Sequence, residues 1–413
     1  MIKKNLITEN FIQERYLAKN LKKKLSSKFN KIYKNLKKDI NNTQNIFNVL
    51  NNNYNFNFNF KDLKYFLKFK SIIIVGMGGS ILGSNAIFEF LNSKLKKKVY
   101  FIDDIDTDNI KILQNKHNVK NTLFIIISKS GNTLETLSNI FSFKIFRKKG
   151  KNKNIILISE RNHNTLNNLG KNLRLFHIEH KKHIGGRYSV LSEVGIVPAY
   201  LMGVNVKKLR RNLTKYLHKD KSFLQESTIK LTNILLQKKF NSLIFLNFHP
   251  KLNSFLMWYQ QLFAESLGKE GKGMLPVISN VPKDFHSLLQ LYLDGPKDKL
   301  FHIFYYEGDT KKKINTKNFS NDLNYLNNKS LNQVKAAQKN ALIKVLKKKK
   351  IPFRFFNIKK FEEETLGELF SYFMIETAII GKLLKINPFN QPAVEQLKIH
   401  TKKLLIKGRK NYF

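Results

Sequence analysis

Residues 71–83 read SIIIVGMGGSILG, and the fold class turns on the change of texture inside this stretch. Ser71 to Val75 is a continuous apolar, β-branched run with no polar alternation, the pattern of a strand buried on both faces of a parallel sheet. Gly76, Gly78 and Gly79 then break the run, and Ser80-Ile81-Leu82-Gly83 opens a helical pattern. Glycines at a strand-to-helix turn let backbone N–H groups approach an anion at the helix N-terminus. The familiar nucleotide patterns fail in detail: a dinucleotide fingerprint needs Gly at position 81 and a P-loop needs Lys at 84, where Ile81 and Ser84 stand. Asp103, 20 residues past Gly83, imitates a ribose-binding acid. By itself the loop reads equally as a phosphate cradle or a tight turn.

Outward from this stretch the same texture repeats. VYFID (99–103), TLFIIIS (122–128) and NIILIS (154–159) alternate with amphipathic segments, and a second series follows with SLIFLNF (242–248), LFHIFYYEG (300–308) and IPFRFFNI (351–358). An α/β protein with two consecutive parallel-sheet units is expected, at about 55–205 and 206–385. Residues 1–54 place Phe11, Tyr16, Leu17, Leu21, Leu25, Phe29, Ile32 and Tyr33 at helical spacing, so an N-terminal helical segment is expected there. NNNYNFNFNF (51–60) reads as a low-complexity loop, and 386–413 as a helical C-terminal arm with a basic end.

The chain carries 75 Lys+Arg against 29 Asp+Glu, a formal charge of +46. Such an excess normally suggests nucleic acid. Here the lysines are spread along the whole chain and accompany abundant Asn, Ile, Phe and Tyr, all residues of AT-rich codons. The charge therefore reads as background composition, and no specific nucleic-acid partner is expected. The absence of Cys excludes disulfides, thiol catalysis and Cys-ligated metal. No apolar run approaches the ~18 residues of a spanning helix, so a cytoplasmic protein with no membrane partner is expected.

Five further motifs carry candidate chemistry. Ser128-Lys129-Ser130-Gly131-Asn132-Thr133 follows a buried strand and offers short hydroxyl donors to an anion, although a plain N-cap would read the same way. With the glycine loop it favours a monophosphate site at the carboxyl ends of two strands. Gly185-Gly186-Arg187 presents a permanent cation suited to a developing oxyanion. Just upstream, His177, His180 and His183 read as a solvated segment rather than a metal site. Glu265, in Ala264-Glu265-Ser266-Leu267-Gly268-Lys269 at a helix end, is a general-base candidate if buried. His286 opens a short helix, and Lys398 lies about two turns beyond Gln391-Pro392.

In this order the segments GMGGSILG, GGRYSVLSEVG, AESLGK, ETLGELF (364–370) and INPFNQPAVEQLK resemble the glucose-6-phosphate isomerase family, over about Ser71 to His400. The resemblance implies two sugar-isomerase (SIS) domains of flavodoxin-like, three-layer α/β/α type, with N-terminal helices and a C-terminal arm. It implies an aldose–ketose isomerase acting on glucose 6-phosphate and fructose 6-phosphate through a cis-enediol, as a homodimer with sites at the subunit interface. Glu265 matches the base that moves the proton between C1 and C2, and Arg187 the residue that stabilises the enediolate. His286 matches the ring-opening histidine contributed by the neighbouring subunit, and Lys398 the lysine assisting it. Gly79, Ser80, Ser128, Lys129, Ser130 and Thr133 match the phosphate-binding positions, and Gln391 a substrate-contacting glutamine. Such proton transfer needs no metal or redox cofactor. SKSGNT, standing where many members carry a Thr-Phe-Thr-Thr run, keeps open a dual phosphoglucose/phosphomannose isomerase, and a non-catalytic SIS sugar-phosphate-binding module is the remaining alternative.

Overall fold

A computed structural model describes residues 6–146, 152–308 and 311–407; the extreme basic end of the arm, 408–413, lies outside them. The expected runs are strands, and three more join them. In chain order they are β1 (Leu6–Asn10), β2 (Ser71–Val75), β3 (Lys98–Ile102), β4 (Thr122–Ile127), β5 (Ile155–Ser159), β6 (Phe176–Glu179), β7 (Ser242–Asn247), β8 (Leu275–Asn280), β9 (Lys299–Tyr306) and β10 (Phe353–Ile358). One sheet has the order β3-β2-β4-β5-β6, all parallel, which is the flavodoxin-like order. The other runs β1-β10-β9-β7-β8, parallel except for β1, which lies antiparallel along β10.

The core explains why the strands read as unbroken apolar runs. Ile72 and Ile74 of β2 point into one apolar core while Ile73 and Val75 point into another. In β7, Leu243 and Phe245 join the same first core as Ile72, while Ile244 and Leu246 face a third. The two sheets thus share a central core and each keeps an outer one. Each fully buried branched side chain contributes about 1.5–3 kcal/mol, so neither face of these strands tolerates polar residues.

Helices fill the shared middle. Helix Leu82–Leu91, following β2, packs on helix Asn253–Leu267, following β7. Helix Glu363–Leu383 is buried almost throughout and packs against the 253–267 helix. A helix apolar on every side belongs inside a protein, which accounts for ETLGELFSYFMIETAII.

The N-terminal region departs from expectation in two ways. Leu6–Asn10 is a strand rather than helix, because its backbone groups complete the otherwise open edge of β10. The low-complexity stretch is not a loose loop. Tyr54, Phe56, Phe58 and Phe60 form a ladder of rings with centroids 4.9–5.2 Å apart, ending on Tyr200 at 5.0 Å. Arg210 lies over Tyr54 and Phe56 and donates to the carbonyls of Leu191, Val49 and Asn51. The helix Lys19–Asp39 appears as expected, with Leu25, Phe29, Tyr33 and Leu36 buried along one stripe.

Candidate active site

In a flavodoxin-like sheet a ligand binds beyond the carboxyl ends of the strands where their order reverses, here between β2 and β4. Both hydroxyl- and glycine-bearing loops leave from this point. They touch at their roots: a side chain at Gly76 would come within 2.9 Å of the Ile127 carbonyl. Ser128 is buried, and its Oγ shares a 2.8 Å hydrogen bond with Thr133 Oγ1, while Ser130 Oγ accepts from the Asn132 N–H. Ser80 is half-buried in the turn Gly78–Ser80 opposite.

Gly78 and Gly79 also serve a purpose that spacing did not reveal. Gly78 has φ +51°, and a side chain there would meet the Gln261 amide; one at Gly79 would strike Gly186 and the Arg187 backbone N at 2.3–2.5 Å. The glycine turn is therefore pressed against the Gly186–Leu191 turn that carries Arg187, and only glycine permits that approach.

Arg187 is 2% exposed and every one of its N–H groups is engaged. Nε donates to Ser266 Oγ at 2.9 Å; Nη1 donates to Glu265 Oε2 at 3.2 Å and Gln391 Oε1 at 2.9 Å; Nη2 donates to the Pro388 and Asn390 carbonyls at 2.7 and 3.0 Å. Glu265 sits in the last turn of the 253–267 helix, about one-third exposed, so its carboxylate is open to an incoming molecule. Gln261, one turn earlier, donates to its other oxygen at 3.0 Å. Glu265, Arg187 and Gln391, from three distant parts of the sequence, thus converge beside the glycine turn.

Three expected site residues make their contacts outside the Glu265–Arg187–Gln391 cluster. The Lys129 ammonium donates to the Lys182 carbonyl at 2.8 Å and lies 3.7 Å from Glu160, so its contacts are with its own surroundings rather than with the hydroxyls of the loop. Burial lowers its pKa from the ordinary lysine value, with Glu160 opposing. His286 is exposed at the end of the turn Lys283–Phe285, which Asp284 fixes by accepting from Ser279 Oγ and the Asn280 N–H. Among the described residues its ring has no hydrogen-bond, ion-pair or ring partner. Lys398 is 63% exposed on helix Glu395–Lys407, 3.6 Å from Glu395 alone.

The upstream histidines are not solvated as a group. His180 is 2% exposed and its Nδ1 donates to the Lys181 carbonyl, and His177 bonds Ser159 Oγ at 3.0 Å. His177 lies in β6 beside β5 and His180 follows directly after it, so the sheet edge holds both despite their polar neighbours in sequence. Gln261 and Ser266 were the residues sequence reasoning missed; the i−4 placement of Gln261 on the helix of Glu265 is the signal that points to it.

The fold and site define a two-sheet α/β protein of SIS type with glycine- and hydroxyl-bearing loops at a switch point and an Arg–Glu pair beside them. A family model described as phosphoglucose isomerase matches residues 58–277. A probable glucose-6-phosphate isomerase of Methanococcus maripaludis is 34% identical over 394 residues, covering 90% of this chain and 85% of the relative. The glucose-6-phosphate isomerase of Mycoplasmopsis pulmonis is 33% identical, covering 81% and 83%. A solved glucose-6-phosphate isomerase from Chlamydia trachomatis superposes with TM-score 0.71 at 20% identity, covering 85% of this chain and 74% of that one. The chain belongs to the phosphoglucose isomerase family.

Proposed function

We propose that this protein interconverts D-glucose 6-phosphate and D-fructose 6-phosphate by ring opening and proton transfer between C1 and C2, a step of glycolysis and gluconeogenesis in the cytoplasm. The observation that carries the reading is the convergence of Glu265, Arg187 and Gln391 beside the paired loops in a chain of this family. Glu265 takes the C2 proton of the open aldose and returns it to C1, so the base must be reachable by the substrate, and its side chain is about one-third exposed. Arg187, buried and fixed, places its charge where the enediolate oxygen develops, and its rigidity spares reorganisation during reaction. Gln391 holds a substrate hydroxyl. Gly79, Ser80, Ser128, Ser130 and Thr133 receive the phosphate through backbone N–H groups and hydroxyls, with Lys129 supplying charge from behind the loop.

His286 and Lys398 are assigned to ring opening in a homodimer, with His286 contributed by the neighbouring subunit and Lys398 assisting that step. The exposure of His286 fits delivery from a partner, and the arm helix that bears Lys398, whose Leu397, Leu404, Leu405 and Ile406 are 50–73% exposed, offers an apolar surface to one.

Glu265→Gln tests the assignment. It is expected to abolish proton exchange at C2 in D₂O while 5-phosphoarabinonate still binds, and exchange at the wild-type rate would remove Glu265 as the base. No helix among the described residues is long and apolar enough to cross a membrane.

A further inference from the structure

Five consecutive residues, Asn387 to Gln391, are gripped by two cations. Arg187 holds the Pro388 and Asn390 carbonyls and the Gln391 side chain. Lys269, just past the helix that carries Glu265, donates from Nζ to the Asn387 carbonyl and to Asn390 Oδ1 at 3.1 Å. The same five residues are seated by Phe389 against Tyr188 and Phe47, with ring centroids at 5.3 and 5.9 Å. Beyond them the chain turns into the exposed arm helix. Lys269 is thus the one link from the end of the Glu265 helix to this segment that is made by neither Arg187 nor apolar packing among the described contacts.

We propose that Lys269 is a positioning residue that fastens the 387–391 segment, and with it Gln391 and the root of the arm bearing Lys398, onto the end of the helix that carries Glu265. The inference rests on reading Glu265, Arg187 and Gln391 as the site. Lys269 touches no reacting atom; it sets how far Gln391 stands from the carboxylate that moves the proton. Misplacement of a substrate-positioning group by about 1 Å costs up to about a hundredfold in rate, so a single lysine at this joint can matter.

The joint also has a built-in response to pH. The groups facing Lys269 are Arg187 from the neighbouring turn, Glu265 on the preceding helix and Glu270 beside it in the chain; the 387–391 segment offers only neutral oxygens. Burial, and then repulsion from Arg187, lower the Lys269 pKa to about 8, with the two glutamates opposing. A released, solvated lysine keeps the ordinary value near 10.5. The fastened state therefore binds its proton more weakly than the released state and gains on it as the pH rises through about 8. The neutral amine still has two N–H donors for the same two oxygens. A carboxylate at 390 would stabilise the charged lysine and cancel this preference.

The test compares Lys269→Met, Lys269→Arg, Asn390→Asp and Glu265→Gln with the intact protein. The measurements are kcat and KM for fructose 6-phosphate from pH 6.5 to 9.5, the thermal midpoint, and hydrogen exchange of the peptide spanning 385–394. Lys269→Met is expected to lower kcat/KM by about tenfold and to speed exchange in that peptide with the thermal midpoint nearly unchanged, while Lys269→Arg recovers most of the activity. Wild-type exchange in that peptide, corrected for the intrinsic pH dependence, is expected to slow across pH 8, and Asn390→Asp is expected to remove this step. Wild-type kinetics and exchange in Lys269→Met overturn the inference, as does a drop in thermal midpoint with an unaltered pH profile. If Glu265→Gln is inactive while Lys269→Met behaves as wild type, the inference fails and the site reading stands. An active Glu265→Gln removes the site reading itself.

Discussion

Arg187 Nη1 stands 3.2 Å from Glu265 Oε2, although 78 residues separate the two in the chain. The guanidinium has no freedom to swing, since its other donors are bound to Ser266, Gln391 and two carbonyls. On the proposed reading, a substrate oxygen approaching this pair meets a cation already in place. Preorganisation of this kind is what lets one cation stabilise charge that exists only at the transition state.

Arg187→Lys should therefore be far from conservative. A lysine has no planar fork and cannot satisfy Ser266, Gln391, Pro388 and Asn390 together. A fall in kcat of about 10²–10³ is expected, with a smaller change in KM. Steady-state kinetics decide the matter, and a loss confined to KM would mean that Arg187 only binds.

If the site is shared between two subunits, as proposed, mixing two variants gives a quantitative prediction. When Glu265→Gln and His286→Ala chains are mixed at equal amounts and allowed to exchange, half of the dimers are mixed. Each mixed dimer has one site with both groups intact if His286 acts across the interface. Two inactive proteins should then recover about a quarter of wild-type activity. No recovery, with exchange verified by mass, would place His286 and Glu265 in the same subunit's site.

Stability has its own focus in the second sheet. Arg354 of β10 is fully buried and meets the buried Glu376 with two hydrogen bonds, 2.7 and 3.1 Å, while Tyr372 and Ser227 donate to the same carboxylate. Removing one partner leaves an uncompensated buried charge, so Glu376→Ala should cost about 3–5 kcal/mol. Urea unfolding measures it; a cost below about 1 kcal/mol would show that the Arg354 charge finds other compensation.

His180 predicts acid sensitivity beside Lys129 and its loop. Burial first, and then the nearby Lys129 charge, push its pKa down to about 4 from the ordinary 6.5. The folded state therefore holds this ring neutral where the unfolded chain would protonate it. Its contribution is complete above pH 6.5 and is lost as the pH falls toward 4, by about 3 kcal/mol in all. In urea unfolding at pH 7 and pH 4.5, His180→Gln should lose less stability between the two than the intact protein does. An equal loss would sink the prediction.

What could be read in the sequence, and what could not, separates along physical lines. β2, β4, β5, β7, β9 and β10 were legible because strands buried on both faces must be continuously apolar, and six such runs leave little choice of architecture. β3, an edge strand, was also legible in VYFID, whereas β1, β6 and β8, the other three edge strands, were not. An edge strand is selected by its neighbour's unpaired backbone, which leaves almost no mark on side-chain choice. The aromatic ladder of 51–60 was hidden for a related reason: its order comes from Arg210 and Tyr200, remote in the chain.

By itself the sequence determined the α/β class and the strand-to-helix loops, and it nominated the groups suited to proton transfer and anion binding. Those depend on local periodicity and on the chemistry of single residues. Only the tertiary structure decided which of them meet. Arg187, Glu265 and Gln391 are brought together because the helices after β2 and β7 pack on each other and the 387–391 segment folds back over Arg187. Lys129, equally suggestive in sequence, is turned toward Lys182 and Glu160 instead. Contacts between residues so far apart are fixed by burial in a shared core, and no window along the chain encodes them.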